Sequence, residues 1–248
     1  WLKKLSKVII SPGISWDHPT LNALRKQGIS IESEISFAWA RLNKFPWIGI
    51  TGTNGKTTVT YLINHILEKN GFIAPMGGNM GFPASSIALN LKKKQTENPD
   101  YLIIELSSYQ IEASPQIQPF IGIWTSFSPD HLERHKSIES YRDIKKSLLD
   151  KSKIKIFNSD DIDLNHNRSN LGEGIWVSSK TSLNNNYWIN KEGIIVEGDK
   201  ELFDSSILDM PGDHNLQNLL LATAAAREIG VSPERIKESI LSFKGLPH

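Results

Sequence analysis

The sequence predicts an α/β fold of the phosphate-loop type, in which helices flank a mostly parallel sheet. Two observations carry this prediction. Apolar runs at residues 47–50, 101–106 and 120–124 are typical of strands buried on both faces, and helical patterns separate them. The first run leads directly into a Gly-rich segment with a lysine, Thr51–Thr58, which opens a helix.

Residues 1–45 are interpreted as part of a Rossmann-like N-terminal domain. Pro19 suits the first position of a helix, and Gly28 suits the position just after its end. The predicted elements are a strand over 8–10, a helix over 19–27, a strand over 29–31 and a helix over 34–42.

Residues 46–240 are interpreted as the central domain. Its predicted strands cover 47–50, 101–106, 120–124 and 154–158, and its predicted helices cover 59–70, a stretch ending near 91, 138–151, 214–229 and 233–243. A Gly-rich loop is predicted over 77–81. Residues 172–209 contain four short strand patterns separated by Asn and Gly, which predict a small antiparallel appendage. Residues 241–248 are interpreted as a linker to a further domain.

Composition excludes several classes of protein. With 28 basic and 27 acidic residues among 248, the net charge is +1, so neither nucleic acid nor an anionic membrane surface is expected as a partner. The absence of cysteine excludes disulfides, thiolate catalysis and zinc–cysteine sites. No apolar run approaches the roughly 18 residues that span a bilayer, and no signal peptide is visible. We expect a soluble, cytoplasmic, monomeric protein.

The segment after the first central strand has the chemistry of a phosphate loop. Glycines let backbone N–H groups surround a phosphate, Lys56 can reach the β- and γ-oxygens, and Thr57 can ligate Mg²⁺. Ile50 stands where the usual spacing has its first glycine. A Gly-rich turn with an incidental lysine is the alternative. The coincidence of strand, glycines, lysine and helix favours ATP binding.

Polar residues follow other predicted strands at the same edge of the sheet, where ligands bind in open α/β sheets. Glu105 and His131 each follow an apolar strand, and Asn79 lies in the Gly-rich loop. Glu105 is a candidate Mg²⁺ ligand, with helix capping as its alternative. His131 is a candidate site residue, although a lone histidine is more often structural. Arg134 and His135 are interpreted as possible surface residues without a role.

Two further features come from helix periodicity. Lys145 falls inside the apolar arc of its helix, four residues after Tyr141, and the alternative to a functional lysine there is a buried stem with its ammonium in water. Asn215 and Asn218 share a helix face and can hydrogen-bond a purine edge. The alternative for this segment is N-capping by Asp213 or Asn215.

Taken together, these segments resemble the Mur ligase family, the ATP-dependent amide-bond ligases of peptidoglycan synthesis. The resemblance is closest to the member that adds D-glutamate. The segments that carry it are Ser11–Ile14, Thr51–Thr58, Gly78–Gly81, Glu105–Glu112, Asp130–His135, Gly212–Asn218 and Gly245–His248. It implies a role in cell wall synthesis, and so in cell shape and division.

The resemblance also implies roles for individual residues. ATP would be bound by Gly52, Thr53, Asn54, Gly55, Lys56, Thr57 and Thr58 at its phosphates and by Asn215 and Asn218 at its adenine. The Mg²⁺ ligands would be Thr57, Glu105, His131 and Lys145, with Lys145 carbamylated by CO₂. The UDP-sugar substrate would contact Asn79, Ser107 and Gln110. Lys56, His131 and Lys145 are the implied catalytic residues.

The implied reaction joins D-glutamate to UDP-N-acetylmuramoyl-L-alanine through an acyl phosphate formed with ATP. A sister ligase with another amino acid and a non-catalytic nucleotide-binding module remain the alternatives. Family members have three domains, and by resemblance this chain begins within the first and ends before the third. We therefore expect the chain by itself to bind nucleotide without forming the amide bond.

Overall fold

A computed structural model of the chain describes residues 5–246. The N-terminal part pairs two parallel strands, β1 (Lys7–Ile10) and β2 (Ser30–Ser33). Between and after them lie helices α1 (Pro19–Lys26) and α2 (Glu34–Leu42). The predicted order of strands and helices is therefore confirmed for this part, apart from residues 1–4, which lie outside the described range.

The remaining strands form one nine-stranded sheet within the described residues. They are β3 (Trp47–Thr51), β4 (Met76–Gly78), β5 (Leu102–Glu105), β6 (Ile121–Trp124), β7 (Ile154–Asn158), β8 (Ile175–Ser178), β9 (Tyr187–Ile189), β10 (Ile194–Glu197) and β11 (Lys200–Asp204). Their order across the sheet is β11-β10-β9-β8-β7-β6-β3-β5-β4. Pairing is parallel from β4 through β9 and antiparallel between β9, β10 and β11.

Helices cover both faces of this sheet. They are α3 (Lys56–Lys69), α4 (Ala84–Lys92), α5 (Ser108–Glu112), α6 (Leu132–His135), α7 (Ile138–Asp150), α8 (Ile162–His166), α9 (Arg168–Leu171), α10 (Asp213–Glu228) and α11 (Pro233–Leu241). Ile48 and Ile50 of β3 pack with α3, α10 and α11, whereas Trp47 belongs to the cluster with α2, α4 and α7. This alternation is what a strand buried on both faces requires, and the predicted fold class is confirmed.

The C-terminal strands correct the prediction of an appendage. All four predicted short strands exist, but they extend the main sheet, and the first of them, β8, pairs parallel with both β7 and β9. The antiparallel pairs are those of β10 with its two neighbours, β9 and β11. A short strand pattern does not show which strand it pairs with. The sequence analysis therefore predicted an appendage and not an extension of the main sheet.

Strand β4 and four short helices were not predicted. The prediction of a loop over 77–81 is wrong at its start, because Met76–Gly78 pairs with β5. Two of its three residues are glycines, so its strand conformation arises from tertiary pairing and not from intrinsic propensity. Helices α5, α6, α8 and α9 have only four or five residues each, too few for a periodic pattern. Within residues 5–246, no helix combines the length and apolar character needed to cross a membrane.

Candidate nucleotide-binding site

The phosphate loop joins β3 to α3 in a conformation that depends on two glycines. Gly52 and Gly55 have φ angles of +155° and +83°. A Cβ on Gly52 would overlap the Thr125 hydroxyl, and one on Gly55 would lie 2.6 Å from Asn218 Oδ1. Backbone conformation and close packing therefore both require glycine at these positions.

The end of β6 holds the loop in place. The Thr53 N–H donates to the Ser126 carbonyl at 2.9 Å, and the Asn54 N–H donates to Ser126 Oγ at 2.9 Å. Thr125 Oγ1 donates to the Asn54 carbonyl at 2.5 Å. Among the described residues, no side chain caps the N-terminus of α3. Its first N–H groups, which start at Lys56, are thus free to bind an anion.

Lys56 lies folded over this loop. Its Nζ donates to the carbonyl oxygens of Gly52 at 3.1 Å and Thr53 at 3.0 Å. A flexible ammonium held by two neutral carbonyls can exchange them for the stronger charge-assisted contact with a phosphate oxygen. Thr58 lies in the first turn of the same helix.

Two of the predicted site residues donate hydrogen bonds to the carboxylate of Glu105. Thr57 Oγ1 donates to its Oε2 at 2.9 Å, and Asn79 Nδ2 donates to its Oε1 at 2.9 Å. Only 2% of Glu105 is exposed. The structure therefore brings β3, β4 and β5 together beside the phosphate loop, as expected for the carboxyl ends of parallel strands.

The donor set next to the loop suits Mg²⁺. Mg²⁺ prefers oxygen ligands and is usually bound through one or two carboxylates together with substrate phosphates and water. The Thr57 hydroxyl and the Glu105 carboxylate match this pattern. In residues 5–246, no group of three or more His, Asp or Glu side chains is close enough to hold a metal by itself.

Lys145 is buried inside the protein, with 1% of its surface exposed. Its Nζ donates to the Gly52 carbonyl at 3.0 Å and to Thr51 Oγ1 at 3.3 Å, and it lies 4.8 Å from the Tyr141 ring centroid. The alternative that buries only the stem of Lys145 and leaves its ammonium in water is therefore wrong. Burial, reinforced by the nearby Lys56 ammonium, lowers the pKa of Lys145 to about 7.

His131 lies at the surface, in the segment that follows β6. Its side chain is 49% exposed, with Nε2 3.4 Å from Asp130 Oδ2 and the ring 5.1 Å from that of Tyr109. It forms no hydrogen bond or ion pair with Glu105 or Lys145. Within residues 5–246, a hydrogen bond joins two of the four predicted metal ligands, Thr57 and Glu105.

Ser107 and Gln110 are engaged with each other at the start of α5. The Gln110 N–H donates to Ser107 Oγ at 3.3 Å, and Gln110 Oε1 accepts from the Ser107 N–H at 2.9 Å. This reciprocal capping box orients the segment directly after Glu105.

Asn215 and Asn218 are both buried on the face of α10 that approaches the loop. Asn215 Nδ2 donates to the Pro211 carbonyl at 2.8 Å, and Asn218 Nδ2 lies 3.5 Å from Asn215 Oδ1. The predicted shared face is confirmed. The capping alternative is wrong, because Gly212 is the N-cap residue and no side chain in the described range caps this helix.

His135, for which the sequence predicts no role, is buried in the structure. It is 4% exposed, its Nε2 lies 2.9 Å from Ser108 Oγ, and its ring stacks on Tyr141 with centroids 5.2 Å apart. Burial lowers its pKa. Nothing in the four-residue helix that ends at His135 could have signalled this. Arg134 pairs with Glu112 at 2.8 Å, also without a sequence signal.

The fold and this geometry are those of an α/β domain with a phosphate-loop-type segment between a central strand and a helix. Residues 50–226 match the Mur ligase middle domain, and the chain belongs to the Mur ligase family.

Curated relatives resemble the whole chain. It is 55% identical over 251 aligned residues to the UDP-N-acetylmuramoylalanine--D-glutamate ligase of Prochlorococcus marinus (strain MIT 9313), with all of this chain and 55% of the relative covered. It is 52% identical to the protein of the same name from Parasynechococcus marenigrum (strain WH8102), covering all of the chain and 54% of that relative. The chain thus spans about half the length of the curated relatives it matches.

Solved structures share the fold. The UDP-N-acetylmuramate:L-alanyl-gamma-D-glutamyl-meso-diaminopimelate ligase from Neisseria meningitides matches with a TM-score of 0.71 at 17% identity, covering 98% of this chain and 80% of that one. A UDP-N-acetylmuramoyl-L-alanyl-D-glutamate--2,6-diaminopimelate ligase matches with a TM-score of 0.72 at 18% identity, covering 100% and 62%.

Proposed function

We propose that this chain carries the ATP-binding part of a ligase that adds D-glutamate to UDP-N-acetylmuramoyl-L-alanine. The observation that carries the proposal is the convergence of Thr57 and Asn79 on Glu105 beside the phosphate loop. The name shared by relatives 51–55% identical to the chain supports the choice of amino acid. The proposed enzyme is cytoplasmic and monomeric and acts on small molecules.

The proposed domain arrangement follows the family. Residues 1–45 belong to an N-terminal domain for the uridine part of the substrate, and residues 46–240 form the central ATP domain. Residues 241–248 lead towards a third domain.

The phosphate loop would bind the ATP phosphates. Lys56 would leave the Gly52 and Thr53 carbonyls for the β- and γ-oxygens, and the free N–H groups at the start of α3 would add further donors. The residues proposed to line the phosphates are Gly52, Thr53, Asn54, Gly55, Lys56, Thr57 and Thr58. Asn215 and Asn218 would lie towards the adenine.

Thr57 and Glu105 would hold Mg²⁺, with Lys145 and His131 as further proposed ligands. When bound, Mg²⁺ neutralises charge on the transferring phosphoryl group. The His131 side chain is 49% exposed in the segment after β6.

Lys145 is proposed to become a ligand by carbamylation. A pKa of about 7 leaves a large share of the amine neutral at physiological pH. The neutral nitrogen would attack the carbon of CO₂, form an N–C bond and lose a proton to water. The product is an anionic carbamate, which presents oxygen where the ammonium had presented N–H donors.

The proposed reaction has two steps. A carboxylate oxygen of the substrate attacks the γ-phosphorus of ATP, and ADP leaves. The amine of D-glutamate then attacks the acyl carbon, phosphate leaves, and the nitrogen loses a proton. The contribution of this chain is to position the reactants and offset negative charge, with Lys56 at the phosphates and Asn79, Ser107 and Gln110 near the UDP-sugar.

The test uses the full-length product of the gene that encodes this chain. It is supplied with UDP-N-acetylmuramoyl-L-alanine, Mg-ATP and either D-glutamate, L-alanine or L-lysine, and products are identified by mass spectrometry. We expect an amide product with D-glutamate alone. A product with another amino acid would favour a sister ligase, and ATP binding without any product would favour a non-catalytic nucleotide-binding module.

A further inference from the structure

An apolar cavity of about 530 Å³ opens at the edge of the sheet, next to β4. It lies between the end of α3, helix α4 and the loop that leads to β5. Its walls include Phe72, Met76, Ile87 and Leu91, and Phe82 lies at its mouth with 72% of its surface exposed. None of the phosphate-loop residues lines it. Its volume lies within the range of small-molecule sites.

The charged side chains that line this cavity are of one sign. Glu68 and Glu97 contribute carboxylates, and the described lining contains no lysine or arginine. Glu68 accepts a hydrogen bond from Asn64 Nδ2 at 3.0 Å, and within residues 5–246 Glu97 forms no ion pair. The charged groups that the described lining offers a ligand are therefore both carboxylates.

The open edge of β4 supplies a further acceptor. The Pro75 carbonyl accepts from Ile103 N, and the Asn79 N–H donates to the Glu105 carbonyl, so residues 75, 77 and 79 face β5. By alternation, Met76 and Gly78 face the open side. The Gly78 N–H is already bonded to the Phe82 carbonyl at 2.9 Å. The Met76 carbonyl remains at the cavity as an acceptor for an N–H donor.

We propose that this cavity is a second ligand site, which takes a compact apolar molecule bearing a protonated amine. The apolar walls bury the hydrocarbon part, and the carboxylates with the Met76 carbonyl receive the ammonium. An apolar pocket with a few convergent polar groups is the usual form of a small-molecule site. The bond between Gly78 and Phe82 places this site next to the loop that carries Asn79.

The methionines of the chain allow a direct test, since there are three, at residues 76, 80 and 210. The 248-residue chain is labelled with [methyl-¹³C]methionine and titrated with 2-(2-naphthyl)ethylammonium or with 2-naphthylacetate, an anion of similar size. We expect saturable shifts of the Met76 methyl signal and none at Met210, with the amine binding about tenfold tighter than the carboxylate because attraction replaces repulsion at the rim. No shift at Met76, or equal affinities, would overturn the proposal.

Matched variants locate the binding. Ser86→Trp fills the cavity from α4 and should abolish the Met76 shift, whereas Leu89→Trp places the same ring on the same helix outside the cavity and should leave it unchanged. Glu97→Gln should reduce the preference for the amine, and Glu238→Gln on α11 should not. If Ser86→Trp fails to fold, as judged from its amide spectrum, Asn90→Trp at the cavity wall replaces it. If folded Ser86→Trp or Asn90→Trp binds the amine as tightly as the wild type does, the proposal is also overturned.

Discussion

Lys145 and Lys146 are neighbours of the same residue type, but they differ in burial and in hydrogen-bond partners. Lys146 lies at the surface with its Nζ 2.6 Å from Asp150 Oδ2, whereas Lys145 donates to Gly52 and Thr51 inside the protein. Helix periodicity predicted this difference, because Lys145 alone falls within the apolar arc of α7. The amine that lies against the phosphate loop is therefore the one with a lowered pKa.

The buried lysine should make stability depend on pH. Its pKa is about 7 in the folded state and roughly 10.4 when unfolded, so the unfolded chain binds more protons between these values. The free energy of unfolding of the wild type, relative to Lys145→Met, should therefore rise from pH 7 towards pH 10. Urea unfolding at pH 6 and pH 9 in CO₂-free buffer measures this. Lys146→Met is the control with no such trend, and a pH-independent difference for Lys145→Met would contradict the buried ammonium.

Carbamylation of Lys145 should be visible spectroscopically. With ¹³C-labelled bicarbonate, we expect one protein-bound carbamate carbon signal in the wild type. Lys145→Met should lose this signal and Lys146→Met should retain it, since Lys145 is the buried amine against the phosphate loop. The reverse pattern would show that the reactive lysine has been assigned incorrectly.

At the scale of elements, the ends of strands β3, β4 and β5 determine the candidate site. Gly78 ends β4 with a φ angle of +108° and packs so tightly that a Cβ there would overlap the backbone carbonyl of Glu105. That carbonyl also accepts the Asn79 N–H at 2.8 Å. The close approach of β4 to β5 therefore positions Asn79 next to the Glu105 carboxylate.

A matched pair of glycines tests this packing. Gly71, after α3, has a φ of +84° but no heavy atom within 4 Å of where a Cβ would lie. Both alanine variants carry backbone strain, and Gly78→Ala adds overlap with Glu105, which should lower the free energy of unfolding by about 1–3 kcal/mol more than Gly71→Ala. Urea denaturation compares the two. Equal losses would show that β4 can move away from β5 freely.

The sequence predicted long elements better than short ones. The strand over 154–158 and the helix over 34–42 match the structure, because their apolar patterns are long enough to be distinctive. Strand β4 was missed because Met-Gly-Gly has no strand propensity and forms only against β5. The parallel pairing of β8 was missed because the sequence of one strand does not identify the strand with which it pairs.

At the scale of the whole molecule, the sheet brings distant segments to one edge. Thr57 was predicted as a site residue from the phosphate-loop motif, Asn79 from the Gly-rich loop and Glu105 from the end of its strand. The structure joins the three through hydrogen bonds. His131 follows β6 as predicted and lies at the surface, with 49% of its side chain exposed and a φ angle of 52°. Burial of His135 depends on contacts with Ser108 and Tyr141, which no local pattern reveals.

The central claim is that this chain binds nucleotide through its phosphate loop, and calorimetry with Mg-ATP tests it most directly. Wild type, Lys56→Ala and Lys69→Ala are compared, since Lys69 is an exposed lysine at the far end of the same helix. Removing one charge-assisted phosphate contact should weaken binding by about ten- to a hundredfold. We predict this loss for Lys56→Ala, with unchanged thermal unfolding, and no loss for Lys69→Ala. Equal affinities of wild type and Lys56→Ala would contradict the assignment of the loop.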